Sequence, residues 1–125
     1  MIAGIGIDII SPERFEATMA KLGDDFLNRV FTPEEIEYCK PKKRAQQHYA
    51  ARFAAKEAAF KAFGTGLRGE LTWHDVEVKH DELGAVYIEL QGYASTLAEG
   101  MGIRYIHLSI AHDQGYGAAV VVLEK

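Results

Sequence analysis

The sequence predicts an α+β fold: a small antiparallel sheet packed on one long central helix. Three observations carry this. A β-branched apolar run opens the chain at Ile2–Ile10. Strong helix formers fill the stretch up to Phe63 and end at Gly64, where a helix takes its left-handed cap. After Gly66 the apolar residues recur with period two. With 125 residues, 48% of them hydrophobic and 26% charged, the chain suits a single domain over 1–125 with one modest core.

The charge balance narrows the function classes. A net charge of −4 argues against a general nucleic-acid binder, which would carry a basic excess. The single cysteine, Cys39, makes neither an internal disulfide nor a cysteine metal cluster. No leader pattern and no membrane-length apolar run is present, so a soluble, cytoplasmic protein is expected, without a membrane partner.

Taken in order, Ile2–Ile10 reads as a strand covered on both faces, with Asp8 its only charged residue. A carboxylate in that setting meets a cation, a metal or several donors; the alternative is that the strand ends early and Asp8 caps a turn. Gly4 and Gly6 lack the third glycine and the immediate helix of a dinucleotide fingerprint, which sets that motif aside. Ser11-Pro12-Glu13 starts a helix that should end near Gly23. Its Arg14 and Lys21 share a face and Arg29 follows; such charges ordinarily form a solvated face. Thr32 and Glu35 are spaced as a structural capping box.

Lys40-Pro-Lys-Lys-Arg44 places four cations where the central helix should begin, against its dipole. An anion held there or a plain solvated loop are the two readings. Within the central helix, Tyr49, Phe53, Phe60 and Phe63 form one stripe and a set of alanines covers the opposite side, so the helix is buried on two sides. Lys56 falls inside the aromatic stripe and is expected to snorkel to solvent rather than meet a buried carboxylate. Glu57 and Lys61 are spaced for an i,i+4 ion pair, a reading weakened by the apolar surroundings.

Val76–His80 and Val86–Leu90 read as a hairpin, and Tyr93–Glu99 as a short helix ended by Gly100 or Gly102. Ile103–His112 and Tyr116–Leu123 read as two strands turning at Asp113–Gly115. His107 and His112 have opposite parity on one strand and do not share an ion, so a satisfied structural histidine is the default for His107.

If the strand carrying Asp8 packs on the helix carrying Glu57, two hard carboxylates meet without soft ligands. That set suits magnesium, which keeps several waters and binds substrate phosphates. Lys61, one turn on, would neutralise a phosphate oxygen, and Gly64-Thr65-Gly66 would let backbone approach, with a plain C-cap as the simpler role.

Gly4-Ile-Gly-Ile-Asp-Ile9 with Arg14, Phe31-Thr-Pro-Glu-Glu35, Arg52-Phe-Ala-Ala-Lys-Glu-Ala59 with Lys61 and Gly64-Thr-Gly66, and His107-Leu-Ser-Ile-Ala-His112 with Tyr116 occur in one order along nearly the whole chain. Together they resemble the holo-acyl-carrier-protein synthase family, the small bacterial type of 4′-phosphopantetheinyl transferase. The resemblance implies that fold, and transfer of 4′-phosphopantetheine from coenzyme A to a serine of apo-acyl carrier protein, releasing adenosine 3′,5′-bisphosphate in support of fatty acid biosynthesis. It implies Asp8 and Glu57 as magnesium ligands, Glu57 or a water it orients as the proton acceptor, and Lys61 at the departing phosphate. Arg52, Gly64, Thr65 and His107 correspond to positions near coenzyme A, and Lys42, Lys43 and Arg44 to a 3′-phosphate site. The resemblance also implies Arg14, Lys21 and Arg29 as a docking surface for an acidic carrier protein, and a homotrimer with sites between subunits. Two other functions use the same residues: a magnesium-dependent hydrolase of nucleotide diphosphates, and a non-catalytic carrier-binding module.

Overall fold

A computed structural model describes residues 1–125. In chain order its elements are β1 (Ile2–Ile10), α1 (Pro12–Val30), α2 (Pro33–Cys39), α3 (Ala45–Phe63), a 3-10 turn at Trp73–Asp75, the hairpin β2 (Val76–His80) and β3 (Val86–Leu90), α4 (Gly92–Met101), β4 (Tyr105–Asp113) and β5 (Tyr116–Glu124). One antiparallel sheet has the order β1-β5-β4, and β2-β3 forms a separate two-stranded sheet. Asp8 pairs with Ala119 in the β1-β5 ladder, so the strand runs through it and the turn-cap alternative fails.

The central helix α3 lies across the inner face of the three-stranded sheet. Twelve of its residues are buried, as a helix apolar on both sides must be. Gly4 and Gly6 make the close packing possible: a Cβ on Gly4 would lie 2.1 Å from the Ala62 carbonyl oxygen, and one on Gly6 1.8 Å from that of Ala58. The glycine pair is therefore a seat for a helix, not part of a nucleotide loop. On the other side of α3 the aromatic stripe interlocks with its neighbours, Phe53 stacking on Trp73 at 5.2 Å and Tyr49 tilting against Phe31 at 5.0 Å.

The helical segment begun at Ser11 ends at Gly23, as expected, with φ 59°; a second segment, which was not expected, follows directly to Val30 and carries Phe26 and Val30 into the core. Three expectations need correction. The strand β1 is not covered on both faces, since Ile5, Ile7 and Ile9 are 60–66% exposed in the single chain. Lys56 does not snorkel: its side chain is fully buried, 2.8 Å from Glu35. The late elements are each shifted by a residue or two, with α4 closing at a left-handed Gly102 and β4 starting at Tyr105.

Thr32 and Glu35 do form the capping box, with Thr32 N donating to Glu35 Oε1 at 2.9 Å and Glu35 N to Thr32 Oγ1 at 3.2 Å. The box is more than local. Glu35 Oε2 also accepts from Val78 N at 2.8 Å, and Thr32 Oγ1 donates to Glu77 Oε2 at 2.6 Å.

Candidate active site

Alternation along β1 turns Ile7 and Ile9 outward and Asp8 inward, toward the last turns of α3. There Lys61 Nζ lies 2.9 Å from Asp8 Oδ1 and 3.1 Å from the Ile7 carbonyl oxygen. The i,i+4 Glu57–Lys61 pair, a reading the apolar surroundings already weakened, does not form; Lys61 bonds Asp8 of β1 instead. Glu57 faces Asp8, and burial first, then the Asp8 carboxylate, push its carboxyl above the ordinary range; Lys61 and Arg14 pull the other way. Arg14 is thereby placed within electrostatic range of the pair, from the first turns of α1.

Beside these groups is a cavity of about 240 Å³ lined by Glu57, Phe60, Lys61, Gly66, Leu67 and Trp73. A neighbouring cavity of about 430 Å³ includes Gly64, Thr65, Arg68 and Tyr93. Gly64 is the left-handed C-cap of α3 at φ 80°, so its capping role is observed directly. Arg68, Trp73 and Tyr93 carry no sequence signal for this place, since Arg68 and Trp73 arrive from the loop and 3-10 turn after α3 and Tyr93 from the first turn of α4.

Arg52 occupies a different place. Nine residues before Lys61 at about 100° each, it points to the opposite side of the helix. It is 3% exposed, its guanidinium lies 4.1 Å over the Tyr38 ring, and Nη2 is 3.0 Å from His80 Nε2. Its Nε is buried without a hydrogen-bond partner. Lys42 covers the same Tyr38 ring at 4.4 Å. Burial, with Arg52 and Lys42 adding to it, holds His48 and His80 below the ordinary histidine range and so neutral. Tyr38, His48, Arg52, His80 and His112 line a cavity of about 480 Å³. Tyr38, His48, His80 and His112 are residues the sequence did not place; only His48, one turn before Arg52, had a helical spacing that could have indicated it. Lys43 and Arg44 are exposed beside it on the loop entering α3.

His107 is on the outward face of β4, its Nε2 2.9 Å from Glu124 Oε1, and the sheet separates it from the inward-facing Asp8. Arg14 and Lys21 are exposed on the first segment of α1, while Arg29 lies beyond the break at Gly23.

Asp8 and Glu57 are two adjoining carboxylates whose mutual repulsion a cation would relieve, and no third His, Cys, Asp or Glu joins them. Two protein carboxylates and otherwise water fit magnesium and do not fit a closed transition-metal site.

A fold with one helix seated on paired glycines, and a carboxylate pair and a lysine at its end, agrees with the comparisons. The description of the 4′-phosphopantetheinyl transferase superfamily matches residues 4–121, and the chain belongs to that superfamily. A holo-[acyl-carrier-protein] synthase of Koribacter versatilis is 48% identical over 124 residues, covering 99% of each chain. The crystal structure of holo-[acyl-carrier-protein] synthase from Neisseria meningitidis superposes with a TM-score of 0.93 at 38% identity over 100% of both chains. That of the Helicobacter pylori enzyme in complex with coenzyme A has a TM-score of 0.84 at 34% identity, covering 96% of this chain and 99% of the other.

Proposed function

We propose that the protein is a holo-[acyl-carrier-protein] synthase, moving 4′-phosphopantetheine from coenzyme A to a serine hydroxyl of an apo-acyl carrier protein. The observation that carries this reading is the meeting of Asp8, Glu57 and Lys61 at the junction of β1 and α3, in a chain of this superfamily. Asp8 and Glu57 would hold magnesium, which when bound polarises the diphosphate and neutralises charge developing on it. Glu57 takes the proton of the serine hydroxyl directly or through an oriented water. The serine oxygen bonds to the β-phosphorus, the bond from that phosphorus to the bridging oxygen breaks, and adenosine 3′,5′-bisphosphate leaves. Lys61, half exposed on a flexible stem, swings from Asp8 to the departing phosphate.

Arg52, with one unsatisfied donor, and Lys42, Lys43 and Arg44 would hold the phosphates of the adenosine end. Gly64 and Thr65 would border the diphosphate. The Arg52 cavity and the Asp8–Glu57–Lys61 cluster lie on opposite sides of α3, and His107 is behind the sheet, so a single chain does not bring them to one ligand. An assembly does. The uncovered apolar face of the sheet, with Ile5, Ile7 and Ile9 along its edge strand β1, supports a homotrimer whose sites lie between subunits. Arg14, Lys21 and Arg29 would receive the acidic carrier protein, a local cation patch acting against a weakly opposed net charge.

Intact-mass spectrometry of apo-acyl carrier protein incubated with this protein, coenzyme A and magnesium tests the reading. A gain of one phosphopantetheine, abolished by a chelator, is expected. Release of adenosine bisphosphate from coenzyme A without any carrier would favour a hydrolase instead, and a folded protein that modifies no carrier would overturn the assignment.

A further inference from the structure

The buried cation of α3 is one residue before Glu57, and the network around it is complete. Lys56 Nζ donates to Glu35 Oε1 at 2.8 Å, to the Trp73 carbonyl oxygen at 3.0 Å and to that of Val76 at 2.6 Å, which uses all three of its protons. Glu35 in turn accepts from Thr32 N and Val78 N. One ammonium thus ties α3 to the start of α2, to the 3-10 turn and to β2. On the far side of the helix, about 200–240° around from Lys56, Ala58 and Ala62 rest on Gly6 and Gly4 of β1. Glu57 projects between these two anchorages, about 100° from Lys56.

A buried ion pair is a poor device for stability. Its desolvation offsets most of its attraction, and an apolar replacement of similar volume is often neutral or better. It is a good device for direction. Apolar packing between alanines and glycines lets a helix roll or slide by a fraction of an ångström at small cost, whereas three charge-assisted bonds of fixed length do not.

We propose that the Glu35–Lys56 pair is a positioning element for phosphopantetheine transfer: it sets the rotation of α3 on the sheet and thereby the placement of Glu57 opposite Asp8. The proposal rests on the transferase reading. Neither Glu35 nor Lys56 touches the reacting groups, since both are fully enclosed behind Phe31, Trp73 and the hairpin.

The test is the paired exchange Glu35→Gln with Lys56→Met, which removes both charges together and leaves no lone buried ion. Thermal unfolding establishes that the variant is folded, and kinetics are measured well below its midpoint. A positioning role lowers kcat by about 10- to 100-fold, the usual consequence of misplacing a catalytic group by about 1 Å, with KM for coenzyme A within about 3-fold. The variant's crystal structure shows the Glu57 carboxyl displaced from Asp8. A merely structural pair leaves kcat of the folded variant within about 2-fold of the unaltered chain, which overturns the proposal. Should the double variant not fold, Glu35→Gln alone takes its place, with the same split at smaller size and the same overturning result. Absence of transfer by the unaltered chain would remove the transferase reading instead, and the displacement of Glu57 in the crystal would then decide the positioning claim alone.

Discussion

Lys61 Nζ lies 2.9 Å from Asp8 Oδ1, joining the last turn of α3 to the middle of β1 across 53 positions of sequence. Half of the lysine is open to solvent while the aspartate is nearly enclosed, so one partner is mobile and the other fixed. A surface pair of this kind contributes little to stability, of the order of 0–1 kcal/mol. On the transferase reading its value would be in chemistry, a cation kept beside the carboxylates until a phosphate arrives.

Glu57→Gln is therefore expected to leave a folded protein with transfer activity reduced at least about 100-fold, in the range for loss of a general base. Steady-state kinetics beside thermal unfolding check this; near-normal turnover would remove Glu57 from the reaction. Lys61→Ala should lose activity without losing coenzyme binding by calorimetry.

Gly6→Ala should destabilise the fold by about 1–3 kcal/mol or more, the range for overpacking, since the new Cβ would meet a backbone oxygen at 1.8 Å. The obstruction is main chain, which has no rotamer to turn away. Urea unfolding measures it, and a variant as stable as the parent would show that β1 and α3 separate easily.

Burial pushes the Cys39 thiol from 9.0 up to about 11, more than Arg52 and Lys42 draw it down. Between those values the unfolded thiol has lost its proton while the folded one keeps it. Stability contributed below pH 9 is thus lost as pH rises through that window, in all about 2–3 kcal/mol. Denaturant titrations of parent and Cys39→Ala across the window should diverge in slope, and a thiol reagent should react with the parent only after unfolding.

Ile7 is 66% exposed on the outer face of the sheet. If subunits meet there, Ile7→Glu should shift the protein from trimer to monomer by light scattering and lower transfer with it. A trimer that survives the exchange would place the interface elsewhere.

Much of this architecture was legible from short-range pattern. The hairpin at Val76–His80 and Val86–Leu90 follows from alternation, and the capping box at Thr32 and Glu35 from spacing, because both are satisfied by neighbours in sequence. Asp8 was legible as an anomaly, a charge inside an apolar strand. What could not be read was which side chain answered which. Glu35 was a cap by spacing, and nothing local told that its second oxygen would hold Val78 or its first oxygen Lys56. The end of the first helical segment at Gly23 was legible from the glycine, but the second segment up to Val30 was not, because what holds it is the core that Phe26 and Val30 enter.

The sequence by itself determined most elements, through periodicity and caps, and the family, through its ordered motifs, and it singled out Asp8, Glu57 and Lys61 as candidates by residue type and spacing. Tertiary structure alone decided that Lys56 is buried, that Lys61 serves Asp8 rather than Glu57, and that Arg52 and His107 lie away from the carboxylate pair. The physical reason is that burial and pairing of charges depend on distances between segments remote in sequence, and those distances exist only once α3 is seated on the glycines of β1.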